Sequence, residues 1–471
     1  MFLTLLVIFF ELLGLISAVH AVMGVRTPQG TIAWTVSLLA MPFLAVPAYW
    51  VFGRNKFMGY VLARQRSIEE VYHLVREANQ AVQIGEAVDD GRSGPVSFLE
   101  TLGRIPVTVG NRVCLLVDGE QTFADIFEGL KAAKDYVLVQ FYIVRDDELG
   151  RQLQSHLVDC AERGVAVRFL YDEIGSFGLP GHYLDALRKA GVEATSFHSR
   201  KGAGNRFQLN FRNHRKTVVV DGQTAWIGGH NVGDEYLGKD PDVGPWRDTH
   251  VRIDGPAVLG AQLAFVEDWR WATDAALEDL HWVATPHADG CGAIVVASGP
   301  ADDRETAALL FTQAINGAKR RIWIASPYFV PDEGTLRALQ LAALRGLDVR
   351  ILIPEKSDNI LVTLAAYSFF NDVKSYGGNI YRYQDGFLHG KFALVDDAIT
   401  AVGTANFDNR SFRLNFEITA VIAGKAFAAD TEAMFEADFA RSRLMEPGEA
   451  DEKSTIFKLG YRVSRLAAPV L

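Results

Sequence analysis

Two stretches of the chain carry residue types suited to moving a phosphoryl group. His214, Lys216 and Asp221 are followed by Gly228 and Asn231, and His389, Lys391 and Asp396 are followed by Gly403 and Asn406. Both read HxKx4D, with the glycine 14 and the asparagine 17 positions after the histidine. On an extended strand residues i and i+2 face the same way, so each His and Lys should project together. The glycine is expected to give a tight entry to the next strand, and the asparagine to point into the same pocket. Brought face to face, the two copies would surround one point with two imidazoles, two ammonium groups and two amides. That set suits a phosphate. One imidazole can attack phosphorus while the other protonates the departing oxygen. Asp221 and Asp396 complete the motifs and are grouped with the catalytic residues. Each lies an odd number of steps from its lysine, however, on the strand's opposite face, which assigns it to bonding backbone groups at the strand end before any part in the pocket.

The elements that would hold these residues repeat. Residues 136–144 read as a buried strand, 148–163 as a helix and 165–171 as a strand again. The same order returns at 322–330, 333–345 and 347–353. Residues 163–170 (RGVAVRFL) match 345–352 (RGLDVRIL), 182 positions on. A period this long marks a duplicated domain. The expected organisation is a first domain over 106–290 and a second over 291–471, with the seam following a helical run at 256–273.

Ahead of the body lie two apolar runs, residues 2–19 with Glu11 as the only charge and residues 31–52 with none. A helix of about 20 residues crosses a bilayer core, so residues 1–55 are expected to form a two-helix transmembrane hairpin. A linker over 56–105 follows. Arg54, Lys56, Arg64 and Arg66 lie after the second run and only Arg26 lies between the runs, which predicts a cytoplasmic body. A cleaved leader is disfavoured, because no Lys or Arg precedes the first run. The whole chain carries 47 basic and 57 acidic residues, a net charge of −10, which speaks against nucleic acid as a partner. Cys114, Cys160 and Cys291 form no paired spacing and are expected to be buried thiols. No clustered ligand motif or nucleotide loop is present, so neither a metal nor a cofactor is expected. Nothing in the sequence fixes an oligomeric state.

These motifs resemble the phospholipase D superfamily, whose members carry two HxKx4D motifs in a pseudo-dimer of α/β/α sandwich domains. Within it the chain is similar to the bacterial cardiolipin synthase family. The resemblance rests on NFRNHRKTVVVDG (210–222), GDEYLG (233–238), GPWRDTH (244–250) and RIDGPA (252–257) in the first half. In the second it rests on SPYFVP (326–331), FLHGK (387–391), NFDNRS (406–411) and NFE (415–417), with YRVSRLAAPVL closing the chain. Thr404, where the family more often has Ser, keeps the hydroxyl, and Gly390 replaces another small residue.

The resemblance implies membrane phospholipids as partners. Two phosphatidylglycerols would be joined into cardiolipin, with glycerol released through a phosphohistidine. His214 would be the nucleophile and His389 the acid and base, with Lys216, Lys391, Asn231 and Asn406 holding phosphoryl oxygens. A phospholipase D that passes the phosphatidyl group to water is the alternative, and a phosphodiesterase nuclease is a more distant one. A catalytic imidazole also needs a carboxylate on its other nitrogen. Glu417, 28 residues after His389, fits that place in the second half. Asp248 is its expected counterpart in the first, with Glu235 the rival. Tyr142 and Tyr328 occupy matching strand ends, as pocket lining or as core.

Overall fold

The computed structural model describes residues 2–25, 27–53, 60–61, 95–197, 210–241, 244–446 and 448–471. Arg26, Arg54, Lys56, Arg64 and Arg66, and most of the expected linker, lie outside these residues.

The first apolar run forms one helix, Phe2–Gly24, long and apolar enough to cross a membrane. Phe2, Leu5, Phe9, Leu12 and Ile16 are exposed along it, a surface suited to an apolar medium. The second run departs from the single helix expected. It forms Pro28–Ala40 and Pro42–Phe52, broken at Met41, whose backbone (φ −138°, ψ 58°) leaves the helical region. Pro42 disfavours a helical conformation in the residue before it and cannot donate a backbone hydrogen bond. Both pieces pack on the first helix. Gly14 lets the backbone of Leu38 approach closely, Trp50 Nε1 donates to Ser17 Oγ (3.0 Å), and Tyr49 OH meets His20 Nδ1 (2.6 Å).

The body is built on a mirrored sheet. From one outer edge the first half contributes Glu193–Phe197, Ala166–Asp172, Tyr136–Phe141, Thr217–Val220, Thr224–Gly228, Thr249–Asp254 and Thr108–Val117. From the other edge the second half contributes Asn379–Tyr383, Asp348–Pro354, Arg321–Ala325, Phe392–Val395, Ile399–Gly403, Asn415–Ala423 and Cys291–Ser298, with Ser442–Leu444 added outside. The innermost strands of the two halves pair antiparallel, Thr108 opposite Ala293 and Asn111 opposite Cys291. In each half the outer three strands are parallel and the rest antiparallel.

Apolar runs such as Thr217–Val220 and Phe392–Val395 are buried throughout, as strands covered on both faces must be. Helices Asp118–Ala132 and Glu148–Glu162 close over the first half, and Glu333–Leu344 and Ile360–Lys374 over the second. The helix Val258–Thr273 is buried along nearly its whole length. It shares one core with Val295, Phe416, Ile418 and Ala420, so the halves are welded by apolar packing. Of the thiols, Cys160 is buried and Cys291 partly so. Cys114 is exposed, against expectation, because its side chain points outward from the strand Thr108–Val117.

Candidate active site

The two motif histidines do not sit within regular strand. His214 to Lys216 form an extended segment between the short strand Arg212–Asn213 and Thr217–Val220, and His389 to Lys391 lie likewise between Phe387–Leu388 and Phe392–Val395. Each short leading strand pairs with the opposite half. Arg212–Asn213 runs parallel to Asn415 and Phe416, and Phe387–Leu388 runs parallel to Trp246–Arg247. The His214 amide therefore donates to the Phe416 carbonyl (2.9 Å), and the His389 amide to the Arg247 carbonyl (2.7 Å).

That register places the next residue of each partner strand on the imidazole. Glu417 takes His214 Nδ1 at 2.9 and 3.0 Å, and Asp248 takes His389 Nδ1 at 2.7 Å. The pairing is crossed. Sequence reasoning selected both carboxylates but placed each with the histidine of its own half. It erred because pairing between chain segments 203 and 141 residues apart leaves no trace in local spacing. Glu235 is not at either histidine: it pairs with Arg145 at 3.2 Å.

Both carboxylates are completely buried. Burial would raise the Glu417 carboxyl, but His214, Lys216 and the Thr404 hydroxyl outweigh it and hold it below the usual range. Thr404 Oγ1 donates to Glu417 Oε2 (2.5 Å) and Asn415 Nδ2 to Oε1 (3.1 Å). Asp248 is likewise held far down, by His230, Lys391 and His389 against the same burial. Gly229 stands where the second half has Thr404. A Cβ there would lie 2.0 Å from Asp248 Oδ1, so only glycine leaves room for this carboxylate.

The imidazoles themselves are pushed down, His214 to about 4 and His389 to about 3, first by burial and then by the neighbouring lysines, against the pull of their carboxylates. Each ring is thus neutral near pH 7. With Nδ1–H donated to the carboxylate, Nε2 keeps its lone pair. Lys216 and Lys391 are buried, donate to the carbonyls of His214 and His389, and interact with each other and with both carboxylates. Burial lowers the Lys216 amine well below its ordinary value and the Lys391 amine to about 8. Two crowded ammonium groups are costly in an empty pocket and are relieved by an anion.

The asparagines differ. Asn231 Oδ1 accepts from the Ile143 amide (3.0 Å) and its Nδ2 donates to Tyr236 OH (3.0 Å), whereas Asn406 Oδ1 is buried with no hydrogen-bond partner. Aromatic rings wall both sides: Tyr142 stands 5.0 Å from the His214 ring, and Trp246 and Tyr236 stand 5.0 and 6.4 Å from that of His389. Tyr328 gives its hydroxyl to Asp358 (2.9 Å).

Asp221 and Asp396 take the backbone-bonding role expected at the strand end, which corrects their grouping with the catalytic residues. Asp221 accepts from the amides of Lys134, Asp135 and Tyr136 at 2.8–2.9 Å, and Asp396 from those of Lys319, Arg320 and Arg321 at 2.8–3.2 Å. Both sit at the far end of their strands with φ +52°, tying the loop before a neighbouring strand. Gly228 and Gly403 are corrected too. They end strands rather than enter them, and a Cβ on either would lie 2.3 Å from the carbonyl of Thr249 or Ile418.

Two buried ion pairs behind the site went unread in the sequence. Arg215 meets Asp268 (2.9 Å) and gives Nε to the Glu417 carbonyl, while Arg247 forks onto both oxygens of Asp438 at 2.9 and 2.8 Å. Their signal was weak, since each partner lies far along the chain. The buried His230 and His250 face each other at 3.0 Å beside Asp248, also unforeseen.

Comparison with known proteins agrees with this geometry. A family described as "Cardiolipin synthase, PLD-like domain" matches residues 126–244 and 311–439, together over half of the chain. One described as "Phospholipase_D-nuclease N-terminal" matches residues 12–54. The chain is 47% identical to cardiolipin synthase A of Pseudomonas fluorescens, covering 99% of this chain and 98% of that one. It is 48% identical to cardiolipin synthase A of Pseudomonas aeruginosa, covering 100% and 96%. The fold is similar to the crystal structure of phosphatidylserine synthase from Haemophilus influenzae, with TM-score 0.59, 14% identity, and 79% and 98% of the two chains covered. The doubled motif and near full-length identity lead to one assignment: the chain belongs to the cardiolipin synthase family of the phospholipase D superfamily.

Proposed function

We propose that the protein transfers a phosphatidyl group from one phosphatidylglycerol to the hydroxyl of another, giving cardiolipin and glycerol. The observation that carries this reading is the pair of crossed, buried His–carboxylate contacts flanking two buried lysines. His214 Nε2 attacks phosphorus, the bond to the glycerol oxygen breaks, and His389 supplies the proton to that oxygen. The resting His389 is neutral, so it must first gain this proton. The anionic phosphodiester favours that gain by setting negative charge against a ring that burial and two lysines had kept neutral. The hydroxyl of the second lipid then gives its proton to His389 and displaces His214 from phosphorus. The phosphodiester is conserved at each step, so no outside energy source enters. Lys216, Lys391, Asn231 and Asn406 hold the non-bridging oxygens through their N–H donors. Glu417 and Asp248 position the rings and stabilise their charged forms.

The same reading divides the chain into a hairpin anchor (1–55), a linker (56–105) and two phospholipase D-like domains (106–290 and 291–471). The body faces the cytoplasm from the bacterial inner membrane. The apolar helix Phe2–Gly24 and the basic group after residue 53 support this placement. Purified protein given pure phosphatidylglycerol should yield cardiolipin and glycerol in equal amounts by mass spectrometry. Phosphatidic acid as the main product would make the protein a hydrolase instead.

A further inference from the structure

The last helix, Thr455–Ser464, and the two-turn 3-10 extension Arg465–Val470 have two unlike faces. Phe457, Tyr461, Ser464 and Ala468 turn inward, where Phe457 packs on Tyr367 of Ile360–Lys374 (5.1 Å). Ile456, Leu459, Val463 and Leu466 turn outward and are 84, 64, 55 and 81% exposed. Their spacing of i, i+3, i+7 and i+10 gathers them into one stripe on the helix. Lys458 and Arg462 border that stripe, with no ion-pair partner among the described residues. From Lys453 to the end the chain holds four basic residues and no acidic one, although its net charge is −10. An apolar stripe edged with cations suits an anionic lipid surface far better than water or a typical protein partner.

The end of this segment lies beside the active site. The Leu471 carbonyl accepts from the Arg410 amide (2.8 Å), and the Arg410 guanidinium bonds Asn210. It lies within electrostatic range of the Arg212 guanidinium and the Tyr142 hydroxyl, and Tyr142 flanks His214. We propose that the segment 455–470 is a second membrane-docking element, separate from the N-terminal helices. It lies in the interface of an anionic bilayer and holds the mouth of the site at the lipid head groups. The proposal rests on the reading of the substrate as a membrane phospholipid, but its physical readout does not depend on turnover.

The test uses the full chain in nanodiscs, carrying Cys114→Ser and Leu459→Cys labelled with a polarity-sensitive fluorophore. Protein lacking Leu459→Cys gives the background. In discs containing phosphatidylglycerol the emission should shift to the blue and be quenched by brominated acyl chains. Emission indifferent to the lipid overturns the proposal. So does a shift that follows protein concentration in detergent alone, which would assign the stripe to a second copy. A second arm changes Ile456, Leu459, Val463 and Leu466 to Gln together. KM for phosphatidylglycerol in bilayers should rise about tenfold, while turnover of a water-soluble short-chain phosphodiester should hold. Equal loss on both substrates overturns the docking role in favour of a packing role. Failure of the wild type to turn over any phospholipid would sink the substrate reading and leave the fluorescence result standing.

Discussion

Glu417→Gln isolates the crossed pairing. Glu417 is completely buried and reaches His214 Nδ1 with both oxygens, at 2.9 and 3.0 Å. The variant keeps the shape but removes the charge that holds the Nδ1 proton and would stabilise the imidazolium. Its amide nitrogen must face either Asn415 Nδ2, which donates, or the Thr404 hydroxyl, which can turn to accept. The second choice sets an N–H against His214 Nδ1 and favours the tautomer with Nε2 protonated and unable to attack. Loss of a buried charge-assisted hydrogen bond costs roughly 3–4 kcal/mol here, or about 10²–10³-fold in rate. The assay is a pre-steady-state burst with a phosphatidyl ester of 4-nitrophenol, a leaving group that departs without a proton. Under the proposed roles, His214→Ala and Glu417→Gln should both lose the burst. His389→Ala and Asp248→Asn should keep it and fail only with phosphatidylglycerol. The comparison holds whichever histidine is the nucleophile, because each carboxylate variant must behave as its crossed partner does. A Glu417→Gln protein that behaves like His389→Ala would refute the pairing.

Three further outcomes are expected. Gly229→Ala would drive a methyl against Asp248 Oδ1 (2.0 Å), so steady-state turnover should fall about 10²-fold with the nitrophenol burst intact, while Thr404→Ser stays active. Asp221→Ala leaves three backbone amides without their acceptor. It should cost about 2–4 kcal/mol of stability by denaturant titration, with kcat of the folded protein unchanged. His214 and His389 sit near 4 and 3 when folded, against about 6.5 in an unfolded chain. Between about pH 6.5 and 4 the unfolded chain therefore takes up protons that the folded one refuses, and stability falls as pH falls. Asp408, pushed up to about 6 by burial, acts in the opposite sense. The informative quantity is thus the melting temperature of wild type minus that of the His214→Gln/His389→Gln protein, which should shrink on acidification through that window. A difference that grows would refute the argument.

The legible part of this molecule was the part written in local spacing. The two-residue step from His to Lys, the strand–helix–strand order and the 182-residue offset between copies all survive as neighbouring side chains and mirrored strands. Asp248 and Glu417 were recognisable as carboxylates near the motifs. Their partners were not, because the short pairings of Arg212–Asn213 with Asn415–Phe416 and of Phe387–Leu388 with Trp246–Arg247 decide them. A two-residue pairing has no periodicity to read. The buried ion pairs Arg215–Asp268 and Arg247–Asp438 were hidden because their partners stand 53 and 191 residues apart in the chain. The break at Met41 was different, since Pro42 stood in the sequence and was passed over in favour of uninterrupted hydropathy.

The reciprocal pairing also bears on how such a chain could arise. Half of it, standing alone, would hold a histidine with no carboxylate and a carboxylate with no histidine. Two identical halves related by a two-fold axis would complete both sites at once, since residue i on one meets j on the other and j meets i. A homodimer of one such half would therefore be enough to build the arrangement, and joining two halves in one chain adds no chemistry that the dimer would lack. What fusion adds is licence to differ. Once the copies share one chain, Gly229 and Asp248 can settle on one side while Thr404 and Glu417 settle on the other, which no pair of identical subunits could do.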